Sequence, residues 1–178
     1  MYALSSCWNS SRHIDGHAML REIRELGFEY AELSHGIRLS LVPGILEAVA
    51  AGVVRITTLH NFCPLPIGIT RAAPNIFKFT SSDARERQSA LKHTLKTFEL
   101  AERLGARLVV LHMGAVEMKD YTDTLIRLAD AGLRETPKYQ RLCAEADERR
   151  ESKKERHLPF AYEALRYLES EAARRHLL

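Results

Sequence analysis

The segment Arg107–Gly114, RLVVLHMG, decides the fold. Leu108 to Leu111 form an unbroken apolar run, the habit of a strand covered on both faces in a parallel sheet. The run nevertheless ends in an ionisable imidazole, His112. A second segment, Arg55–Pro66 (RITTLHNFCPLP), finishes its strand in the same way at His60. Each is preceded by a similar unit. Before RLVVLHMG, Asp83 can cap a helix with Glu86 three residues on, and Leu91, Leu95, Phe98 and Ala101 line one face until Gly105 closes it. Before RITTLH, a helix over about Leu41–Ala51 ends at Gly52. Earlier still, Met19, Leu20, Ile23 and Leu26 mark a helix over Gly16–Leu26, then Gly27 and the strand FEYAELSHG.

An opening strand, YALSSCWN, precedes the first of these units. Four strands alternating with helices predict an α/β fold of right-handed βαβ units, with a parallel sheet in sequential order. After His112 the rhythm changes. Helices are expected over Val116–Ala131, Pro137–Arg156 and Pro159–His176, with proline in the first turn of the last two. No strand signal follows Gly132. The chain thus reads as one domain, residues 1–178, with four βα units over 1–114 and a helical segment over 115–178.

In parallel α/β folds, function gathers at the carboxyl ends of the strands. Asn9, Glu32, Ser34, His35, His60, Asn61 and His112 all fall there. Strand alternation puts His60 on the face of Thr58 and His112 on that of Val110. Neighbouring strands lie about 4.8 Å apart, so the two imidazoles can converge on one ion, and zinc and manganese sites mix imidazole with carboxylate. Against this, a single strand-end histidine is more often a hydrogen-bonded structural residue. Glu32, inside YAELS, needs a cation, a metal or a donor, with Arg55 as the ordinary partner. His35 and Arg38 are candidate phosphate or hydroxyl contacts. Trp8 and Phe62 are candidate pocket walls or core residues. His13 and His17, in the first loop, read as surface residues.

Composition excludes several classes. The chain has 178 residues, 46% hydrophobic and 28% charged, with 26 Lys+Arg against 23 Asp+Glu and a net charge of +3. That balance gives no electrostatic case for nucleic acid. Much of the charge mixes both signs in Ala144–His157, the pattern of a solvated helix face. Cys7, Cys63 and Cys143 are odd in number and widely spaced, against a disulfide framework or a thiolate zinc site. No signal peptide or bilayer-length apolar run is visible, so a cytoplasmic location is expected. Dinucleotide, P-loop and serine-hydrolase motifs are absent.

ELGFEYAELS, TTLHNFCPLP and AERLGARLVVLHMG resemble strands two to four of the xylose isomerase-like TIM barrels, which include sugar-phosphate isomerases and epimerases and endonuclease IV-type nucleases. The resemblance covers about Tyr2–Gly114. It implies a parallel (β/α) barrel of TIM type, present as its first four βα units, and a divalent metal, zinc or manganese, at the carboxyl face. It places His60 and His112 at positions that supply metal ligands in the endonuclease branch and line the substrate pocket in the isomerase branch. Glu32, His35, Arg38, Trp8 and Asn61 would bind substrate. The family's ligands from strands five to eight have no counterpart in the chain, and a full barrel needs about 250 residues.

The resemblance therefore implies a metal-dependent sugar or sugar-phosphate isomerase or epimerase lacking the C-terminal half of its site, and inactive alone. The partner would be that missing half, or a second copy closing the sheet as a homo-oligomer. An endonuclease IV-like zinc phosphodiesterase and a non-enzymatic half-barrel assembly module are the alternatives. The loop after strand three, HNFCPLPIGITRAAPNIFKF, is apolar and proline-containing, closer to a lid over a small molecule than to a DNA-tracking surface.

Overall fold

The computed structural model describes residues 2–69 and 71–177. Four parallel strands, β1 (Ala3–Ser5), β2 (Tyr30–Leu33), β3 (Arg55–His60) and β4 (Leu108–Val110), form one sheet in the order β1-β2-β3-β4. Between them run α1 (Gly16–Glu25), α2 (Val42–Ala50) and α3 (Ala84–Leu104). This is the sequential parallel arrangement that the repeat predicts. Gly27, Gly52 and Gly105 follow the three helices with φ of 91°, 73° and 68°, the left-handed conformation that glycine adopts without steric cost.

Ala31, Leu33, Ile56, Leu59 and Val109 turn to the helices and are buried against Met19, Ile23, Ile45, Phe98 and Ala101. The opposite, concave face carries Ser5, Glu32, Thr58, His60 and Val110, all half-buried. A β-bulge sets this division. Ala31 pairs with Ile56 but Glu32 pairs with Thr58, which leaves Thr57 as an extra residue. Strict alternation from Ile56 would send His60 to the helix side. The extra residue restores His60 to the concave face, in line with the re-aiming role of bulges.

The helix boundaries differ from expectation where loops compete for the backbone. A 3-10 turn at Leu39–Leu41 leads into α2. Beyond β4, helix α4 begins only at Thr122 and runs to Asp130, because Ala115 and Glu117 are engaged by Thr80, Ser82 and His157 in an irregular segment. Helices α5 (Pro137–Lys154) and α6 (Leu158–Arg174) follow. No residue of α4 or α5 is buried, whereas Ala164 and Leu168 of α6 join the core with Leu177. The expected capping box at α3 is only half present. Asp83 Oδ1 accepts the Arg85 N–H at 2.8 Å, but Glu86 turns away to accept the Lys78 N–H at 2.9 Å.

Helices α1 and α2 meet through glycine. A Cβ on Gly16 would lie 2.0 Å from the Leu41 carbonyl oxygen and 2.7 Å from the Ile45 nitrogen, both backbone atoms that cannot yield. Gly16→Ala is therefore expected to destabilise by about 3 kcal/mol, at or beyond the upper range for overpacking. Asp83→Ala, which removes one cap, is expected to cost about 1 kcal/mol. Urea melts of the two variants test the order, and a smaller loss at Gly16 would contradict this packing.

Candidate functional site

Beyond the end of β4, His112 lies two residues past Val110, and Val110 is the register partner of His60. Both rings therefore stand on the concave side at the carboxyl edge. Their Nε2 atoms are 3.1 Å apart and their centroids 4.7 Å apart. His35, from the loop after β2, sets its ring edge-on to His60 at 5.2 Å. The three histidines form one cluster.

The protons in the pair follow from its partners. His60 Nδ1 lies 3.4 Å from the Asn61 carbonyl oxygen, which can only accept, so Nδ1 carries the proton and Nε2 a lone pair. Without a bound ion, His112 Nε2–H donates to it. A separation of 3.1 Å would also let both nitrogens reach one divalent ion. The pair fits as two donors. Among the described residues, however, no group of three or more His, Cys, Asp or Glu converges to hold a metal, so these residues make part of a site, not a closed one.

Burial holds the His112 imidazole below its ordinary 6.5, with the His60 charge adding to the effect. His35 is lowered in the same direction by burial, then by His60 and His112, against an opposing pull from Glu32. Its Nδ1 is buried and has no hydrogen-bond partner among the described residues. These rings are therefore neutral near pH 7, the form in which imidazole binds metal or exchanges a hydrogen bond with a hydroxyl.

Glu32 finds a donor rather than a cation. Its Oε1 accepts the Ser5 hydroxyl at 2.8 Å, across the register pair that joins β1 to β2. Arg55 makes no ion pair with it among the described residues. Ser5 is the residue that sequence reading passed over, although the alternation of β1 already put it on the concave face.

Other candidates are committed elsewhere. Asn61 is fully buried toward α3, donating to Thr94 Oγ1 at 2.9 Å and accepting from Thr97 Oγ1 at 3.1 Å. Arg38 donates to the carbonyls of His13 and Ser10, pinning the first loop. Trp8 is 45% exposed and lies under the Arg12 guanidinium at 4.3 Å. His13 is not a free surface residue. With Asn9 and Arg12 it converges on Glu22, whose carboxyl is held down at about 2, first by the His13 hydrogen bond and then by Asn9.

The loop after β3 is anchored at both ends: Phe62, Cys63 and Phe79 are fully buried in the core, the Cys63 N–H donates to Thr97 Oγ1 of α3, and the Leu65 N–H donates to the Ile37 carbonyl in the loop after β2. Burial also raises the Cys63 thiol well above its usual range and leaves it inert.

Because folding lowers the pKa values of His35 and His112, their neutral forms are favoured in the native state. Stability is fully present above pH 6.5, the unfolded value, and falls as pH drops below it toward the folded values. Histidine ring NMR is expected to show both titrating below 6.5; midpoints at or above it would contradict their environment. Asn61→Ala, which removes the buried hydrogen bonds to Thr94 and Thr97, is expected to cost about 1–3 kcal/mol and to leave those midpoints unchanged.

No curated protein sequence matches the chain. Several solved structures share its fold. A D-tagatose 3-epimerase-like protein aligns with 98% of the chain and 49% of its own length, at 14% identity and a TM-score of 0.60. A 3-keto-D-glucoside 4-epimerase from E. coli aligns with 99% of the chain and 53% of its own length, at 13% identity and a TM-score of 0.60. The chain spans about half the length of each. The profile of one family matches residues 20–175, and by that match the chain belongs to the xylose isomerase-like TIM barrel family.

Proposed function

We propose that these four strands supply one side of a sugar isomerase or epimerase pocket, with His60 and His112 as two of its metal donors. The observation that carries the reading is the 3.1 Å approach of the two Nε2 atoms on the concave face. A divalent metal bound there, zinc or manganese, would polarise oxygens of the substrate. The chain's own groups do the rest. The Asn61 carbonyl fixes the His60 tautomer, as outer partners of metal-binding imidazoles do. Glu32, oriented by Ser5, accepts a hydrogen bond from a substrate hydroxyl, and the buried Nδ1 of His35 offers a second polar contact.

A sugar or sugar phosphate suits this face better than DNA. The segment over residues 61–83 carries two basic residues, Arg71 and Lys78, too few to follow a phosphate backbone. The three cysteines are free, which suits a reducing, cytoplasmic setting. Among the described residues no helix is long and apolar enough to cross a membrane.

Strands β1 and β4 each have one neighbour, so each leaves a row of backbone groups available for pairing. Leu108 on β4 is 40% exposed. A complementary half, or a second copy of the chain, would cover both edges and close an eight-stranded barrel.

The 178-residue chain by itself is expected to bind zinc or manganese with an affinity weaker than micromolar, to show no epimerase turnover, and to self-associate. A catalytic zinc is held by about three protein ligands, and this face offers two imidazoles. Titration calorimetry with each ion, beside light scattering on size exclusion, tests this. Loss of the remaining binding in both His60→Ala and His112→Ala is expected. Metal binding that survives both substitutions would overturn the assignment. Micromolar or tighter binding by a clean monomer would show that the site is complete as it stands.

A further inference from the structure

His157, at the junction of α5 and α6, is only 7% exposed, and both its ring nitrogens are engaged. Nδ1 lies 2.7 Å from the Thr80 carbonyl oxygen, and Nε2 accepts the Glu117 N–H at 3.3 Å. A carbonyl can only accept and a backbone N–H can only donate. The proton must therefore sit on Nδ1 and the lone pair on Nε2, so a single neutral tautomer is imposed.

The two segments it grips are those leaving β3 and β4 beyond His60 and His112. They are stitched together at further points. Thr80 Oγ1 donates to the Ala115 carbonyl at 2.8 Å and accepts the Ala115 N–H at 3.0 Å. The Glu117 carboxylate accepts the Ser82 N–H at 3.2 Å and the Ser82 hydroxyl at 2.9 Å. Lys153 of α5 donates to the Glu117 carbonyl at 3.2 Å.

We propose that His157 is a positioning residue for the histidine rim: a neutral-imidazole clasp that locks the outgoing segments of β3 and β4 together and loosens both when it is protonated. A proton on Nε2 would set N–H against the Glu117 N–H, so that bond is lost. The basic side chains beside the ring are Lys153, near the end of α5, and Arg156, in the turn before α6. The Arg87 guanidinium of α3 is held over the Phe160 ring at 3.9 Å and by the carbonyls of Ser81 and Ser82. The Glu117 carboxylate favours the added charge, and hydrogen bonds from Ser82 keep it ionised in mild acid.

The positioning role rests on the pocket proposed above. Amide exchange and histidine ring resonances need neither metal nor sugar, so failure of the clasp and failure of the pocket are distinguishable. In the full chain, His157→Leu is expected to speed amide exchange at Ala115 and Glu117 about tenfold, the scale of one lost hydrogen bond. It should also shift the ring resonances of His60 and His112. His157→Gln presents a donor and an acceptor at similar spacing without a titratable group. It is expected to restore protection at pH 7 and to abolish the acceleration that the native chain shows as pH falls toward 5. Unchanged exchange and unshifted rings in His157→Leu would overturn the proposal. So would an acid-induced acceleration that persists in His157→Gln, since it would then belong to other groups. Should the leucine variant fail to fold, the comparison of native and glutamine chains decides alone.

Discussion

The site depends on one extra residue in β3. Ile56 and Leu59 both face the helices although three positions separate them, because Thr57 is left out of the ladder between Ala31–Ile56 and Glu32–Thr58. With ordinary alternation from Ile56, Leu59 and His60 would both take the wrong side. An imidazole buried among Ile45 and Phe98 would be costly, and a leucine on the concave face would leave the core short of volume. The bulge reconciles the demands of core and rim. Register does the remainder: pairing His60 with Val110 places His112 one pleat further on, against the same ring.

Much of this was visible in the sequence because it obeyed periodic rules. The alternation of helix, glycine and strand predicted four parallel strands in order, and the matching ends of TTLH and VVLH predicted that two imidazoles would meet. Asn61 and Arg38 behaved differently, for a shared reason. Their positions follow the strand ends, but their polar groups are captured by nearer donors and acceptors, the threonines of α3 and the carbonyls of the first loop. Sequence spacing carries no information about such competition. His157 was hidden for the opposite reason. It sits inside a run of mixed charge that reads as solvated helix, and its burial arises from two segments distant in the chain.

The electrostatics of the rim and of the first loop run in opposite senses. At the rim, burial and neighbouring positive charge favour the uncharged forms of His35 and His112. At the first loop, Glu22 gathers Asn9, Arg12 and His13, which hold its carboxyl down at about 2. Positive charge is disfavoured at the histidine rim, and charge is concentrated where the first loop is fastened. The solved epimerases share this fold at 13–14% identity. A likeness at that distance is one of strand placement, and function has to be argued from the site itself.

The α4–α5 hairpin has a further consequence for how the molecule can change. Neither helix buries a residue, and a Tyr121 hydroxyl bond to Glu145, at 2.8 Å, is among the few ties near its base. Its surface is ringed by i,i+3 and i,i+4 pairs of opposite charge. Such a projection is a natural insertion point. A fluorescent reporter or an affinity module grafted between α4 and α5 would lie outside the sheet and its core, leaving the histidine rim free to be observed from a distance.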